Sequence, residues 1–305
     1  MAITASAVKE LRLRTGAGMM DCKKALVETD GDLEAAADYL RAKGIAKAAK
    51  KADRVAAEGL VGTFISADGL QGSVVEVNCE TDFVARNEEF QQFTADLAEL
   101  VVSQGIDNVD ALLGAELGGS PVEEVRKSKI ASIGENINVR RALRMHVESG
   151  IVGTYIHNQG AIGVLVSLRS PAALDPSGAA SGLARDIAMH VAAVNPHFVS
   201  EADIDETVIE KERAVLIAQA EESGKPPEIA AKMVEGRLRK FRKEICLLDQ
   251  PFVKNPDLSV AGEVDRVAKE LGTELQVASF ARFVRGEGIE KVESNLADEV
   301  AALQK

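Results

Sequence analysis

Tryptophan is absent from this chain, and tyrosine (two), cysteine (three), histidine (four) and proline (eight) are scarce. Each shortage excludes a class of chemistry. Cys22, Cys79 and Cys246 lie too far apart for a disulfide framework or for paired zinc ligands, so reduced, buried thiols are expected. His146, His157, His190 and His197 do not fall at metal-ligand spacing. A Gly-x-x-x-x-Gly-Lys-Ser/Thr phosphate loop is missing, and Gly16-x-Gly18-x-x-Asp21 lacks both a third glycine and a preceding strand. No Gly-x-Ser-x-Gly elbow occurs, and Asp30-x-Asp32 lacks the other ligands of a calcium loop. No catalytic residue, metal site or cofactor is therefore expected, nor a nucleotide pocket. No apolar run approaches a membrane span, and the first ten residues meet charge too soon for a signal-peptide core, so the cytoplasm is the expected compartment. Positive charge is in the minority: 36 Lys and Arg against 48 Asp and Glu leave a net charge of -12, which disfavours adhesion to nucleic acid or anionic membrane and points to a protein partner.

What is present is apolar patterning. With 305 residues, 46 % of them hydrophobic, the chain can bury a large core and by length suggests about two domains. Residues 1–54 read as a three-helix module. Thr4 or Ser6 caps a first helix with Val8 and Leu11 inward, and Gly16 and Gly18 end it. A second helix runs through Met20, Ala25 and Leu26 to the break at Asp30-Gly31-Asp32, and a third carries Leu33, Ala36, Ala37 and Leu40 and stops near Gly44. Met19 and Met20 are either core plugs or a soft contact surface. Lys43, Lys47, Lys50, Lys51 and Arg54 read as a solvated linker face.

From Gly59 onward the sequence repeats itself. Gly59-Leu-Val-Gly-Thr-Phe-Ile matches Gly150-Ile-Val-Gly-Thr-Tyr-Ile, 91 residues later. Each copy predicts two strands (60–65 and 73–78; 151–156 and 164–168), a helix (90–102; 183–194) and a closing strand at Ile137 to Leu143 or Leu275 to Phe283. Asn87 is a good cap for the helix that carries Phe90, Phe93, Leu97, Leu100 and Val101 on one face. Thr81, Asp82, Phe83 and Val84 fall on the connection before it, where an apolar pair must fold back into the core or project outward. The second copy carries an insertion that reads as a helical hairpin: Val208, Ile209, Val215 and Leu216 on one arm, Ile229, Met233, Leu238, Phe241 and Ile245 on the other, and Ser223 to Pro227 at the tip. Eight acids between 200 and 222 against seven basic residues between 225 and 244 suggest arms that pair by charge, as in an antiparallel coiled coil. Residues from Gly286 to the end read as a short terminal helix.

These readings give an α+β fold with five expected divisions: 1–54, the three-helix module with its basic linker; 55–145, the first antiparallel-sheet core subdomain; 146–198 with 248–285, the second; 199–247, the inserted coiled coil; and 286–305, the C-terminal helical module.

Several stretches resemble the elongation factor Ts family: Thr15 to Leu26, Val77 to Asn87 with its Thr81-Asp82-Phe83-Val84 core, Ile133 to Asn138, Tyr155-Ile156-His157, Ile187 to Val191, Gly224 to Pro226 and Gln250 to Val253. The resemblance covers essentially the whole chain. It implies a ubiquitin-associated-like (UBA-like) fold for the first module and the activity of a guanine nucleotide exchange factor for the GTPase elongation factor Tu. Such a factor binds the GDP form of its partner, displaces Mg2+ and promotes GDP release, with no chemistry of its own. It also implies partner-binding roles for Thr81, Asp82, Phe83 and Val84 at the partner's Mg2+ site, and for Arg12, Met19, Met20, Lys23, Ile133, Gly134 and His157 elsewhere. No direct nucleic-acid or membrane contact is implied, while a homodimer or a 2:2 complex stays open. Lys254 follows Gln250 to Val253 where a member of the family has an apolar residue. Two other classes fit parts of the chain: a helical adaptor working through residues 1–54, and a scaffold that self-associates through the hairpin.

Overall fold

A computed structural model describes residues 3–222 and 226–290 of the chain. The architecture mixes helices with antiparallel sheets. Three helices come first: α1 (Ala5–Thr15), α2 (Met19–Glu28) and α3 (Leu33–Ala49). Thr4 caps α1 by accepting from the Ala7 amide, and Gly16 ends it at φ 65°. Val8 and Leu11 meet Cys22, Ala25 and Leu26 of α2 and Ala36 of α3 in a small apolar cluster. The third helix does not stop near Gly44. It continues to Ala49 because Gly44 is buried against Ala131 of the core, where helix packing offsets the low helix propensity of glycine.

The basic run at the end of α3 is not a free solvated face. Lys47 pairs with Asp21 of α2 at 3.0 Å, Arg54 reaches Glu80 at 3.5 Å, and Lys51 donates to the Gly134 carbonyl. The contacts of Lys51 and Arg54 fasten the helical module to the first core subdomain.

Strands β1 (Glu58–Ile65) and β2 (Gln71–Cys79) form a hairpin, followed by the one-turn helix α4 (Asp82–Ala85) and by α5 (Glu88–Ser103). After α6 (Val109–Gly114) and the short ribbon of β3 (Glu116–Leu117) and β4 (Ser120–Pro121), α7 (Val122–Ile133) leads into β5 (Ile137–His146). The first sheet has the order β1-β2-β5. A second copy is built from β6 (Gly150–His157), β7 (Ile162–Arg169), α8 (Ala179–Val194) and, much later, β10 (Gln276–Val284), in the order β6-β7-β10. Gly59 pairs with Asn78 and Gly150 with Arg169, so both partners shift by the same 91 residues. These two glycines hold φ of +125° and +139°, and a Cβ on either would lie about 2 Å from the Val77 or Leu168 carbonyl oxygen, which explains why both copies begin on glycine.

The two sheets dock across a pseudo-twofold axis. The Val61 amide donates to the Gly160 carbonyl at 2.8 Å, and its counterpart Val152 donates to the Gly69 carbonyl at 2.7 Å. Val61, Val74, Val152 and Leu165 fill the seam. Strand β2 is therefore buried on both faces, and Phe90, Phe93, Leu97 and Val101 of α5 cover the side away from the seam. Glu76 lies fully buried in β2. Its carboxylate accepts from Arg140 (3.1 Å), Arg141 (2.6 Å), Asn78 (3.0 Å) and the Gly286 amide (2.8 Å), tying the first sheet to the segment after β10. Burial pushes its pKa up, but the Gly286 amide, Asn78 and Arg141 outweigh burial and hold it below the usual carboxylate value.

Between α8 and β10 the chain forms a helical hairpin, α9 (Glu206–Glu222) and α10 (Pro227–Ile245), then β8 (Pro251–Phe252), β9 (Asn255–Ser259) and α11 (Val260–Leu271). Ile209, Leu216 and Ala220 of α9 meet Val234 and Leu238 of α10. Val215 and Ile229 of the two arms are exposed; each lies one helical position off the stripe that its arm buries. Among the described residues, the ion pair between the arms joins Arg213 of the acidic arm to Glu235 of the basic one, the reverse of the expected polarity. The tip at Ser223 to Lys225 and the terminal helix over 291–305 fall outside the described residues.

Candidate functional site

Cys79 ends β2 and Asn87 caps α5, leaving room for one helical turn between them. Thr81 caps that turn, its hydroxyl accepting from the Val84 amide at 3.4 Å. Ala85 is buried and Val84 packs against the core, so the opposite face of the turn carries Phe83 into solvent, 79 % exposed. Asp82 sits in the first turn, where the helix dipole favours a carboxylate, and pairs with Arg86 at 2.8 Å.

The turn is held from below by the reversal between α7 and β5. Gly134 closes α7 at φ 93°, and the next residue, Glu135, accepts three hydrogen bonds: from the Glu80 amide (3.1 Å), the Thr81 amide (3.0 Å) and the Thr81 hydroxyl (2.6 Å). In return Glu80 accepts from the Asn136 amide at 2.6 Å, and the Asn136 side chain donates to the Ala52 and Arg54 carbonyls. The Cys79 thiol donates to the Thr81 carbonyl at 3.1 Å; burial, with Glu135 and Glu58 nearby, pushes its pKa up to about 12 and keeps the proton in place.

A cleft of about 500 Å³ runs beside Phe83, lined on one side by Arg12 and Gly16 to Gly18 and on the other by Phe83, Val84, Asn87 and Ile133. Arg12 and Ile133 are thus brought to Phe83. Met19 and Met20, 59 % and 76 % exposed, continue from Gly18 along the outside of α2 together with exposed Lys23; their exposure removes the core-plug alternative. His157 stands apart. It is exposed at the end of β6, its Nδ1 3.2 Å from the Tyr155 hydroxyl, and the turn between β6 and β7 abuts β1 rather than the cleft.

Among the described residues, no group of three or more His, Cys, Asp or Glu could hold a metal ion, and no helix is long and apolar enough to cross a membrane. Residues 80–287 match the family model described as Elongation factor TS. The chain belongs to the elongation factor Ts family. It is 54 % identical over 302 residues to Elongation factor Ts of Clostridium perfringens strain 13, with 99 % of each chain covered. It is 51 % identical over 310 residues to that of Rhizobium etli strain CIAT 652, again with 99 % of each covered, and 50 % identical over 310 residues to that of Brucella anthropi, with 100 % of each covered. The family match opens at Glu80, where the clamp on the Phe83 turn begins. Arg12, Met19, Met20 and Lys23 precede it and are covered by the full-length relatives.

Sequence reading missed Glu80, Glu135 and Asn136 as a supporting set. The bonds join residues 54 to 56 positions apart; both stretches resemble the family, but nothing in the sequence pairs one with the other.

Proposed function

We propose that this protein is a guanine nucleotide exchange factor: it binds elongation factor Tu in its GDP form, displaces Mg2+ and promotes GDP release so that GTP can bind. The observation that carries the reading is Phe83, a large apolar side chain left in solvent on a turn that is itself tied to the core at three points. Phe83 acts as a wedge between helices of the GTPase, with Asp82 beside it, and the disturbance reaches the partner's Mg2+ site; His157 contacts the GTPase from the separate turn after β6. Arg12, Met19, Met20 and Lys23 grip a second helix, and Ile133 and Gly134 add to the partner-binding surface. In this reading residues 1–54 form the UBA-like module, 55–145 and 146–198 with 248–285 the paired subdomains, 199–247 a projecting coiled-coil contact, and 286–305 a terminal module. The protein works in the cytoplasm without nucleic acid, membrane or cofactor.

Magnitudes favour a distributed grip over a single-residue switch. Burying one Phe contributes about 1.5 to 3 kcal/mol, and each tenfold weakening of GDP requires about 1.4 kcal/mol. Phe83 alone therefore accounts for about one to two decades, and further weakening draws on the other contacts. Phe83→Ala is expected to lower the saturating rate of fluorescent GDP release from elongation factor Tu by about tenfold or more while weakening association less. Equal losses in both would make Phe83 part of the docking surface only.

A further inference from the structure

We infer that Glu135 is a positioning residue for Phe83, setting the direction in which the wedge is presented; the inference rests on the proposed exchange activity. A four-residue helix cannot hold itself, because nucleation fixes several dihedrals for very few hydrogen bonds. The turn's own backbone bonds run from Ala85 to the Thr81 carbonyl (3.3 Å), from Arg86 to the Asp82 carbonyl (3.2 Å) and from Asn87 to the Val84 carbonyl (3.0 Å); all are local, so they do not fix its orientation on the core. Glu135 supplies it. One carboxylate oxygen accepts the Glu80 and Thr81 amides, and the other accepts the Thr81 hydroxyl proton. With that proton committed to Glu135, the Thr81 oxygen offers its lone pair to the Val84 amide, so the carboxylate selects the side-chain arrangement that caps the helix. Glu135 is itself rooted. It comes directly after the left-handed Gly134 at the end of α7, and the neighbouring Asn136 is bonded back to Glu80 and to the linker at Ala52 and Arg54. Two turns distant in sequence thus lock each other, each through its glutamate accepting the other's backbone amides.

The chemistry separates a positioning role from a direct charge contact. A glutamine at 135 keeps an oxygen for the two amides and can donate its NH2 to the Thr81 hydroxyl oxygen, preserving the clamp without the charge. Alanine removes all three bonds. Amide hydrogen exchange, read by mass spectrometry on the free full-length protein, tests the clamp with no partner present. Glu135→Ala should speed exchange of the amides between 80 and 86 by about tenfold or more, Glu135→Gln should leave them near wild type, and α5 and α7 should stay protected in both. GDP release from elongation factor Tu then tests the consequence. Glu135→Ala should lower the saturating release rate by about tenfold with association changed less than about threefold, Glu135→Gln should restore it, and adding Glu135→Ala to Phe83→Ala should cost nothing further. Unchanged amide exchange in Glu135→Ala would overturn the clamp. Losses that add to those of Phe83→Ala, or a Glu135→Gln variant as impaired as Glu135→Ala, would overturn the positioning role. A wild-type protein that leaves GDP release unaffected would defeat the exchange reading instead, while the amide exchange still decides the clamp.

Discussion

His190 illustrates how a titratable side chain can be used with no part in chemistry. It is fully buried on α8, its Nδ1 accepts from the Val253 amide at 3.2 Å, and its Nε2 lies 2.8 Å from the Gln250 Oε1. Those partners fix the neutral tautomer with the proton on Nε2. The Gln250 amide donates onward to the Glu244 carbonyl, and the Phe252 ring stacks beside the imidazole, so the segment after the hairpin is pinned to α8 through one residue. Burial lowers the pKa of His190, against the raising effect of Gln250. The unfolded chain, with an ordinary value of about 6.5, therefore binds more protons than the folded one below that pH, and stability falls as pH drops from about 6.5 toward the folded value. Urea midpoints measured at pH 7.5 and 5.5 should fall for wild type, and the fall should be much smaller in His190→Gln; an equal fall in both would remove His190 from the account. At this scale the sequence was informative where one residue decides the outcome, as at Thr4, Asn87 and the three buried cysteines. It was silent where the partner lies far along the chain, as for Glu135 with Thr81 or His190 with Gln250. Lys254 pairs with Asp186 of α8 at 2.8 Å.

Among the elements, α8 and β6 approach so closely that the contact tolerates no Cβ. At Gly153 an added methyl would lie 2.5 Å from the Ala184 Cβ and 2.7 Å from its carbonyl carbon, with no backbone strain involved. Gly153→Ala is expected to destabilise by about 1 to 3 kcal/mol through overpacking, read from chemical denaturation, and a change below about 0.5 kcal/mol would show that α8 can shift to make room. The repeated strands and their helices were legible because they combine period-two and period-3.6 patterns with a 91-residue echo. Helix α7 was not, since its turns mix Arg, Lys and Ser with few apolar residues and only Val122 and Ile130 are buried. Helix α11 was likewise passed over, although Val260, Val264 and Val267 bury a stripe at helical spacing. The extent of α3 depended on α7 lying across Gly44, a contact no local pattern announces.

For the molecule as a whole, the pseudo-twofold seam and the Glu76 network make one rigid support from two copies of a unit. Duplication supplies the support, and the differences between the copies supply the surface. The first copy alone carries the Thr81 to Asn87 turn, and the second alone carries the hairpin. The linker bonds at Ala52 and Arg54 bring the helical module to the same end as Phe83, so two contact regions are offered from one base. In the proposed function, attachment at two points would allow binding energy to be used against a third object, the nucleotide held by the partner. Under the proposed exchange activity the coupling is reciprocal by linkage: the factor by which this protein would weaken GDP is the factor by which GDP would weaken this protein. The most direct test is release of a fluorescent GDP analogue from elongation factor Tu as the concentration of this protein is raised. The account predicts a release rate that climbs and saturates, together with an affinity for the GTPase that falls in excess GDP. A release rate that stays flat across the titration would contradict it.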